Sequence, residues 1–269
     1  MNIKEQTIEL YAGVDVGASR TKAALINSEG ELTGSGVLKS GIDFQATADR
    51  CLELALAQAG ADMDSVRTCV STGYGRKNVA PARFTKTEIA CHAKGCFRLF
   101  PMAMTIIDIG GQDNKVIKLD PSGRRIDFKM NRKCAAGTGA FLEEMAQRLD
   151  IALEDMDSLA RKSRHMVELG SFCTVFSATE VLENIRQGRK LEDIVKGVYH
   201  SMLKRVLEMD SLQDTVVMTG GVVAHNPYLA EMASEMTGNK ILVPSFPQLT
   251  GAFGAALFGL EAEHKPISR

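Results

Sequence analysis

The feature that most constrains the fold of this chain is a strand–turn–strand pattern that occurs twice around an Asp-x-Gly sequence. Residues 8–27 read as two strands around the turn Asp15-Val-Gly-Ala-Ser-Arg-Thr-Lys22, and residues 103–118 repeat the pattern around Asp108-Ile-Gly-Gly-Gln-Asp113. A supersecondary unit that occurs only twice indicates a duplication and not a solenoid. The pattern therefore predicts an α/β chain built from two similar halves, each carrying one Asp-x-Gly turn.

Periodicity along the rest of the chain assigns further elements. They are a helix over 43–60, a strand over 66–72, helices over 138–150, 153–165, 178–188 and 191–209, a strand that meets a glycine turn within 215–222, and a small-residue helix over 250–260. The 269 residues suffice for roughly two domains of ~150 residues. We expect a first half over 1–100, a second half over 101–269 with a helical segment after Cys134, and both turns in one cleft.

Composition excludes several classes of function. Lysine and arginine number 32 and aspartate and glutamate 33, so a net charge of -1 gives no electrostatic case for nucleic acid as a partner. No run approaches the ~20 apolar residues of a membrane span, and the N-terminus lacks the apolar core of a signal peptide. We therefore expect a cytoplasmic chain without a membrane partner.

The two turns have the chemistry of a phosphate site. Glycine lets backbone N–H groups approach a phosphate chain, and paired carboxylates suit Mg²⁺, which keeps several of its waters. Asp15 and Asp108 supply the carboxylates, and the glycines 220 and 221 follow a third strand. The alternative for either turn alone is an ordinary β-hairpin with a glycine at positive φ, and three such glycine turns together favour the phosphate site.

Four of the six cysteines give no clear signature of a site. Cys51 and Cys69 stand in apolar surroundings and are interpreted as buried thiols. Cys91 and Cys96, with His92 between them, are weak candidates for metal ligands, because no partner pair stands nearby. The absence of a Cys-x-x-Cys pair argues against a zinc ribbon or a thioredoxin-like site.

Cys134 and Cys173 each precede a predicted helix. A helix N-terminus stabilises a thiolate, thiolates bind soft metals, and iron–sulfur clusters take four of them. One chain supplies two such cysteines, and a second copy related by a twofold axis would supply the other two. Two ordinary cysteines at helix starts are the alternative at this point.

The glycine turns resemble the phosphate-1, phosphate-2 and adenosine motifs of the acetate and sugar kinase, Hsc70 and actin superfamily. They match neither a Walker A loop nor a dinucleotide-binding Gly-x-Gly-x-x-Gly. The resemblance implies two RNase-H-like α/β halves with ATP in the cleft between them.

Nearly the whole chain resembles one branch, the BadF/BadG/BcrA/BcrD-type ATPase family, which includes activators of 2-hydroxyacyl-CoA dehydratases and ATPase subunits of benzoyl-CoA reductase. The segment Cys134-Ala-Ala-Gly-Thr-Gly139 together with Cys173-Thr-Val-Phe176 is its most specific signature. The other matching segments are Gly13–Lys22, Thr72–Arg76, Glu88–Gly95, Asp108–Asp113, Lys133, Glu180, Met218–Val222 and Gly251–Leu257.

The resemblance implies that Cys134 and Cys173 hold one [4Fe–4S] cluster across a homodimer. It implies an enzyme that couples ATP hydrolysis to the transfer of a low-potential electron to a partner iron–sulfur enzyme, such as a 2-hydroxyacyl-CoA dehydratase. A ferredoxin or flavodoxin would be the upstream reductant. The alternatives are the ATPase component of a benzoyl-CoA reductase-like system, or a cluster-free kinase or chaperone-like ATPase of the superfamily.

The same resemblance assigns the nucleotide site. Asp15 and Asp108 would position Mg²⁺, and Gln112 would orient the attacking water. Residues expected to contact ATP or ADP are Ala18, Ser19, Arg20, Thr21, Lys22, Gly110, Gly111, Gln112, Gly137, Thr138, Glu180, Gly220, Gly221 and Gln248. For Glu180 the alternative is a solvated carboxylate on a helix.

Two expectations concern the surroundings of Cys134. The backbone of Gly137-Thr-Gly139 could sense the nucleotide and shift the helix that begins there, which would couple ATP to the cluster. Arg132 and Ala140 depart from the family pattern around this cysteine, as does the segment Val223-Ala-His-Asn226. These departures bear on partner identity and adenine packing, not on the class.

Overall fold

The computed structural model of the chain describes residues 9–131, 133–170, 173–212 and 215–264. The chain forms two compact units. Unit 1 takes in the described residues up to Phe100 and those from Leu249 onward, and unit 2 is Pro101–Gln248. This division differs from the one expected over 1–100 and 101–269 in that the final helix lies with unit 1.

Unit 1 contains one five-stranded sheet in the order β3-β2-β1-β4-β5. Its strands are β1 (Leu10–Val16), β2 (Arg20–Ile26), β3 (Leu32–Lys39), β4 (Val66–Thr72) and β5 (Ala82–Thr85), and its helices are α1 (Phe44–Ala59), α2 (Glu88–Leu99) and α9 (Thr250–His264). The first three strands are antiparallel, and β4 and β5 run parallel to β1.

Unit 2 also contains a five-stranded sheet, in the order β10-β9-β6-β7-β8. Its strands are β6 (Met104–Ile109), β7 (Asn114–Leu119), β8 (Arg125–Asn131), β9 (Thr215–Thr219) and β10 (Lys240–Leu242). Its helices are α3 (Gly139–Arg148), α4 (Met156–Lys162), α5 (Thr174–Arg186), α6 (Leu191–Leu207), α7 (Gly221–His225) and α8 (Tyr228–Thr237).

The two sheets have the same topology. In unit 2, β6, β7 and β8 are antiparallel while β9 and β10 are parallel to β6, which repeats the pattern of β1 to β5. Residues 15 and 108 occupy equivalent positions, since Asp15 is paired with Lys22 across β1 and β2 and Asp108 with Lys115 across β6 and β7. The duplication predicted from the two Asp-x-Gly turns is therefore confirmed at the level of the sheets.

Side-chain alternation along β1 separates the core from the site. The even-numbered residues of β1 join the core beneath α1, with Val14 and Val16 fully buried. Gly13 and Asp15 lie on the opposite face, where a Cβ at Gly13 would lie 1.9 Å from the carbonyl oxygen of Ala252 in α9. In β6, Ile107 and Ile109 enter the core of unit 2, so Asp108 also lies on the other face.

Capping residues set the two ends of helix α1. Asp43 accepts a hydrogen bond from the Ala46 amide at its N-terminus, and Gly60 ends the helix in the left-handed region at φ 64°. The helices predicted over 43–60, 138–150, 191–209 and 250–260 correspond to α1, α3, α6 and α9, and the strand over 66–72 is β4.

Three predicted elements differ in extent. The helix predicted over 178–188 begins earlier in the structure, at Thr174. The prediction missed this first turn because its apolar residues Val175 and Phe176 are 70% and 64% exposed and so break the amphipathic pattern. The helix over 153–165 is a 3₁₀ turn followed by α4, which ends at Lys162. The strand within 215–222 ends at Thr219, and Gly221 begins α7.

Periodicity did not assign β5, α2, β8, α8 or β10. Strand β8 has no fully buried side chain and lies at the edge of its sheet, which removes the alternation that identifies a strand. Among the described residues, no helix is both long and apolar enough to span a membrane.

Candidate functional site

Asp15 and Lys22 form an ion pair at the end of the β1–β2 hairpin. The Asp15 side chain is almost fully buried, and Oδ2 accepts a hydrogen bond from Lys22 Nζ at 3.0 Å. Asp15 Oδ1 is buried with no hydrogen-bond partner among the described residues. A buried carboxylate oxygen without a donor is costly, by about 1–3 kcal/mol, and indicates a position for a ligand or a cation.

The turn after Asp15 presents two backbone amides. The Gly17 amide closes the turn on the Arg20 carbonyl at 3.1 Å. The amides of Ala18 and Ser19 have no acceptor in the described part of the chain. Successive amides of this kind form a concave site for an anion.

Ser40 supports this turn from the end of β3. Its hydroxyl donates to the Gly17 carbonyl at 2.6 Å and lies 3.0 Å from the Thr21 hydroxyl, and its amide donates to the Ser19 carbonyl. Thr21 is fully buried. The structure thus places the Thr21 side chain beneath the turn, whereas Ala18 and Arg20 are exposed.

Asp108 lies in a denser network in unit 2. Its Oδ2 accepts from Lys115 Nζ at 3.1 Å, its Oδ1 accepts from the Thr219 hydroxyl at 3.0 Å, and Lys115 also contacts Asp113 Oδ1 at 2.8 Å. The Lys115 side chain is 1% exposed. A buried ammonium between two carboxylates is compensated in charge and fixes both of them in place.

The second turn has the backbone pattern of the first. The Gly110 amide donates to the Asp113 carbonyl at 2.9 Å, and the amides of Gly111 and Gln112 have no acceptor in the ranges that the structure describes. The Gln112 side chain is exposed. Each unit therefore offers two adjacent amides beside a buried aspartate.

A glycine with positive φ follows the strand beside each aspartate. Gly73 (φ 88°) follows β4, and its Cβ would lie 2.5 Å from Asp15 Oδ1; Gly220 (φ 101°) follows β9, and its Cβ would lie 2.3 Å from the Ile109 carbonyl oxygen. Only glycine fits such an approach. The Gln248 side chain lies against Gly221, within 3.1 Å of the position of a Cβ. The structure thus brings together Gly220, Gly221 and Gln248.

His92 lies close to Asp15 within unit 1. Its Nδ1 is 2.9 Å from the Thr250 hydroxyl, its Nε2 is 3.9 Å from Glu88 Oε1, and a Cβ at Gly251 would lie 3.2 Å from both His92 Nε2 and Asp15 Oδ2. The cysteines on either side of His92 are fully buried. Burial raises the pKa of Cys91 to about 12, which opposes the thiolate that a metal needs.

The cysteines divide by exposure. Cys134 and Cys173 are exposed, and the other four are buried. Burial raises the pKa of Cys51 and of Cys69 to about 12, so their interpretation as buried thiols is confirmed. Cys173 immediately precedes the first residue of α5.

The segment after Cys134 leads into α3 beside the second turn. The Gly139 amide donates to the Gly110 carbonyl and the Ala140 amide to the Gly111 carbonyl, both at 2.9 Å. Gly137 has φ 89°, and the buried Thr138 hydroxyl donates to the Ala135 carbonyl. The start of α3 therefore contacts the second turn directly.

Residues 12–259 match the BadF/BadG/BcrA/BcrD ATPase family. The chain belongs to this family. The resemblance read from its motifs is thus confirmed, and membership supports ATP binding and an ATPase role.

Three relatives span the chain. The 2-hydroxyisocaproyl-CoA dehydratase activator of Clostridioides difficile is 39% identical over 93% of this chain and 94% of its own length. The (R)-2-hydroxyglutaryl-CoA dehydratase activating ATPase of Acidaminococcus fermentans is 35% identical over 94% of this chain and 98% of its own. A benzoyl-CoA reductase component from Thauera aromatica is 29% identical over 97% of this chain and 96% of its own.

Solved structures agree with the family and extend the fold. Component A of the Acidaminococcus fermentans (R)-2-hydroxyglutaryl-CoA dehydratase has a TM-score of 0.91 at 34% identity, covering 96% of this chain and 100% of its own. The Clostridium difficile 2-hydroxyisocaproyl-CoA dehydratase activator, solved with bound ADPNP, has 0.88 at 37%, covering 97% and 100%. A Streptomyces griseus glucokinase has a TM-score of 0.57 at 12% identity, covering 94% of this chain and 99% of its own, and this likeness concerns the fold alone.

Glu180, Ala140 and residues 221–225 all lie in unit 2. Glu180 accepts a hydrogen bond from the Gly170 amide at 2.8 Å, so its carboxylate has a backbone partner in unit 2. The Ala140 amide takes part in the contact with the second turn, and residues 221–225 form α7. Arg132 lies outside the described residues.

Lys115, Thr219 and Ser40 are site residues that were not predicted from the sequence. The repeat of the first half in the second half could have identified Lys115 and Thr219. Lys115 follows Asp108 at the interval at which Lys22 follows Asp15, and Thr219-Gly220 ends β9 as Thr72-Gly73 ends β4. Ser40 had no such signal, because its contact with the turn depends on the return of β3.

Proposed function

We propose that this chain is an ATP-hydrolysing iron–sulfur reductase that donates a low-potential electron to a partner iron–sulfur enzyme, such as a 2-hydroxyacyl-CoA dehydratase. The observation that carries the proposal is the exposure of Cys134 and Cys173 in a chain whose other four cysteines are buried. The relatives at 39% and 35% identity are dehydratase activators, while the benzoyl-CoA reductase component is at 29%, which favours the dehydratase system.

The two exposed cysteines fit an iron–sulfur cluster by the chemistry of their donors. Cys173 directly precedes α5 and is exposed, and cysteine sulfur is the ligand by which proteins hold iron–sulfur clusters. A [4Fe–4S] cluster takes four thiolates, so one cluster would be shared by the two chains of a homodimer. When bound, the cluster supplies one-electron chemistry at low potential.

The adjacent backbone amides are proposed to bind the phosphates of ATP. Ala18 and Ser19 in unit 1 and Gly111 and Gln112 in unit 2 offer amides without an acceptor in the described ranges. Such amides attract an anion without the cost of ordering a long side chain. We propose that both turns serve one nucleotide, with Gly220, Gly221 and Gln248 on the adenosine side.

Asp15 and Asp108 are proposed to hold Mg²⁺. The fit rests on Asp15 Oδ1, a buried carboxylate oxygen with no hydrogen-bond partner among the described residues. Mg²⁺ supplies neutralisation of the charge on the β- and γ-phosphates. Lys22 and Lys115 hold the two carboxylates in position, and Thr21 supports the first turn through Ser40.

Hydrolysis needs positioning and charge stabilisation more than a covalent nucleophile. Gln112 is exposed in the second turn, and its side-chain amide is the group that we propose orients the attacking water. A ferredoxin or flavodoxin is the proposed upstream reductant. The proposed location is the cytoplasm.

The test begins with protein purified without oxygen. We expect brown protein with about four irons and as many sulfides per dimer, and release of inorganic phosphate from Mg-ATP without a phosphorylated small molecule. Transfer of an electron to an added dehydratase should require Mg-ATP. Colourless, iron-free protein that phosphorylates a sugar or an acid would refute the proposal in favour of a superfamily kinase.

A further inference from the structure

The Cys134 segment is fastened by the side chain of Asn131, the last residue of β8. Asn131 Oδ1 accepts from the amides of Lys133 and Cys134 at 3.2 and 3.3 Å, and its Nδ2 donates to the Cys134 carbonyl at 3.0 Å. One amide group thus contacts both the N–H and the C=O of the cysteine, and its loss would remove all three hydrogen bonds at once.

A second asparagine fastens the other end of this segment. Asn114 and Asn131 are paired in the β7–β8 register, and Asn114 Nδ2 donates to the Gly137 carbonyl at 2.8 Å. A carbonyl can only accept, which fixes the orientation of the Asn114 amide. Its Oδ1 is consequently left buried without a hydrogen-bond partner in the described ranges. Asn114 therefore keeps its bond to Gly137 although its Oδ1 has no hydrogen-bond partner in those ranges.

The same segment is bonded to the peptide groups proposed to bind phosphate. The Gly110 carbonyl, which accepts from Gly139, shares a peptide group with the Gly111 amide. The Gly111 carbonyl accepts from the Ala140 amide and belongs to the same peptide group as the Gln112 backbone amide. In a planar trans peptide the C=O and the N–H point in opposite directions. Each of these peptide groups therefore holds the start of α3 on one side and leaves its N–H on the other.

We propose that Asn131 and Asn114 are positioning residues that connect Cys134 to these two peptide groups, so that phosphate bound at the amides of Gly111 and Gln112 changes the conformation of the Cys134 segment. The inference rests on the proposed function, because it takes the second turn as the phosphate site. A phosphate that aligns or polarises these peptides strengthens their carbonyl bonds to the amides of residues 139 and 140. Through their hydrogen bonds to Gly137 and Cys134, the two asparagines then transmit a shift at the start of α3 to the exposed cysteine.

The experiment measures Cys134 itself and not the activity of the loaded enzyme. The full-length chain is prepared without cluster, and the rate of alkylation of Cys134 by iodoacetamide is followed by peptide mass spectrometry with and without Mg-ADP. Calorimetry measures ADP binding in the same samples. For the unaltered chain we expect ADP to slow alkylation of Cys134 by about fivefold or more, the lower end of ordinary coupling between two sites.

Asn131→Ala and Asn114→Ala should each bind ADP with an affinity within about twofold of the unaltered chain, yet show an alkylation rate that ADP changes by less than about 1.5-fold. Asn27→Ala is the matched control. Asn27 also caps a turn, accepting from the amides of Glu29 and Glu31, but in unit 1 and remote in sequence from the cysteine. It should keep the full effect of ADP on Cys134.

Two outcomes overturn the inference while sparing the proposed function. One is an unaltered chain that binds ADP without any change at Cys134. The other is a folded variant at Asn131 or Asn114 that keeps the full effect of ADP. If one variant fails to fold, the other decides, because the two asparagines fasten different ends of the segment. A chain that binds no ADP would instead refute the proposed function.

Discussion

At the scale of single residues, Asp15 and Asp108 are equivalent in sequence and register but differ in their surroundings. Asp108 accepts hydrogen bonds from Lys115 and Thr219 on its two oxygens. Asp15 accepts from Lys22 on Oδ2 only, and its Oδ1 has no hydrogen-bond partner among the described residues. The duplication has therefore produced one carboxylate that accepts hydrogen bonds on both oxygens and one with a buried oxygen that has no hydrogen-bond partner in the described part of the chain.

Asp108→Asn should lower the rate of ATP hydrolysis by roughly 100-fold or more, because it removes a charge that the bound cation needs. Phosphate release measured at saturating Mg-ATP tests this, with circular dichroism to confirm folding. Asp64→Asn, the same change at an exposed carboxylate in a 3₁₀ turn, should keep the full rate. Undiminished turnover in Asp108→Asn would contradict the proposed magnesium role.

The thiols provide a second prediction for single residues. Burial raises the pKa of Cys51, Cys69 and Cys91 to about 12, so roughly one such thiol in 10⁴ is a thiolate at pH 8. In cluster-free native protein, alkylation should be fast at the exposed Cys134 and Cys173 and very slow at these three cysteines. Mass spectrometry of the digested protein measures the rate at each cysteine. Fast labelling of Cys91 in folded protein would contradict the burial described for α2.

The same raised pKa values give a pH dependence of stability. A thiol whose pKa is higher in the folded state than its ordinary 9.0 stabilises the fold below pH 9. That contribution is lost as the pH rises from about 9 toward 12. Chemical denaturation at increasing pH should show a falling free energy of unfolding across this window, and Cys69→Ala should reduce the slope.

At the scale of elements, α9 is held against α2 and β1 by residues that have no side chain to separate the backbones. A Cβ at Gly254 would lie 1.8 Å from the Cys91 carbonyl oxygen, and a Cβ at Gly95 would lie 2.4 Å from the Thr250 carbonyl oxygen. This close packing brings the start of α9 beside His92 and Asp15. The small residues of 250–260 therefore allow Gly251 of α9 to lie next to the Asp15 carboxylate.

Gly254→Ala should lower the free energy of unfolding by about 1–3 kcal/mol, because a backbone atom occupies the position of the added methyl group. Gly259→Ala, in the same helix, meets its nearest neighbour, a Thr68 methyl carbon, at 3.3 Å. It should change stability by less than about 1 kcal/mol, since better helix propensity offsets the tighter contact. Equal effects in thermal denaturation of the two variants would argue against the described packing.

At the scale of the whole molecule, the proposed cluster requires more than one chain. Two exposed cysteines per chain supply half of a four-thiolate site, so the complete site depends on a second copy. The residues proposed to bind the phosphates lie in the turns after Asp15 and Asp108, one turn in each unit, and neither turn contains a cysteine. Loss of the cluster and loss of nucleotide binding should therefore be separable.

Cys134→Ser should abolish cluster binding, because symmetry removes two of the four thiolates together. Anaerobic iron analysis should find no cluster in this variant, while ADP still binds. Cys91→Ala and Cys96→Ala serve as controls and should retain the brown chromophore. Four irons per dimer in Cys134→Ser, or a strictly monomeric protein with a complete cluster, would contradict the proposed shared site.

The sequence by itself determined the duplication, the fold class and the family, because each depends on local patterns of few residues. Asp-x-Gly turns and a strand on either side specify a hairpin, and two copies specify two similar sheets. Edge strand β8 and the start of α5 escaped prediction for the converse reason. Their side chains are largely exposed, so burial leaves no periodic signal in them.

The tertiary structure alone decided which groups contact one another. It placed Thr21 beneath its turn through Ser40 and gave Glu180 the Gly170 amide as a partner. It also left Asp15 Oδ1 without a donor among the described residues, while a threonine hydroxyl occupied the equivalent oxygen of Asp108. These contacts join residues far apart along the chain, and the pairing of strands and the packing of helices bring them within hydrogen-bond distance. Residue types and spacing identify the candidate groups, but only the folded backbone sets the distances that decide their partners.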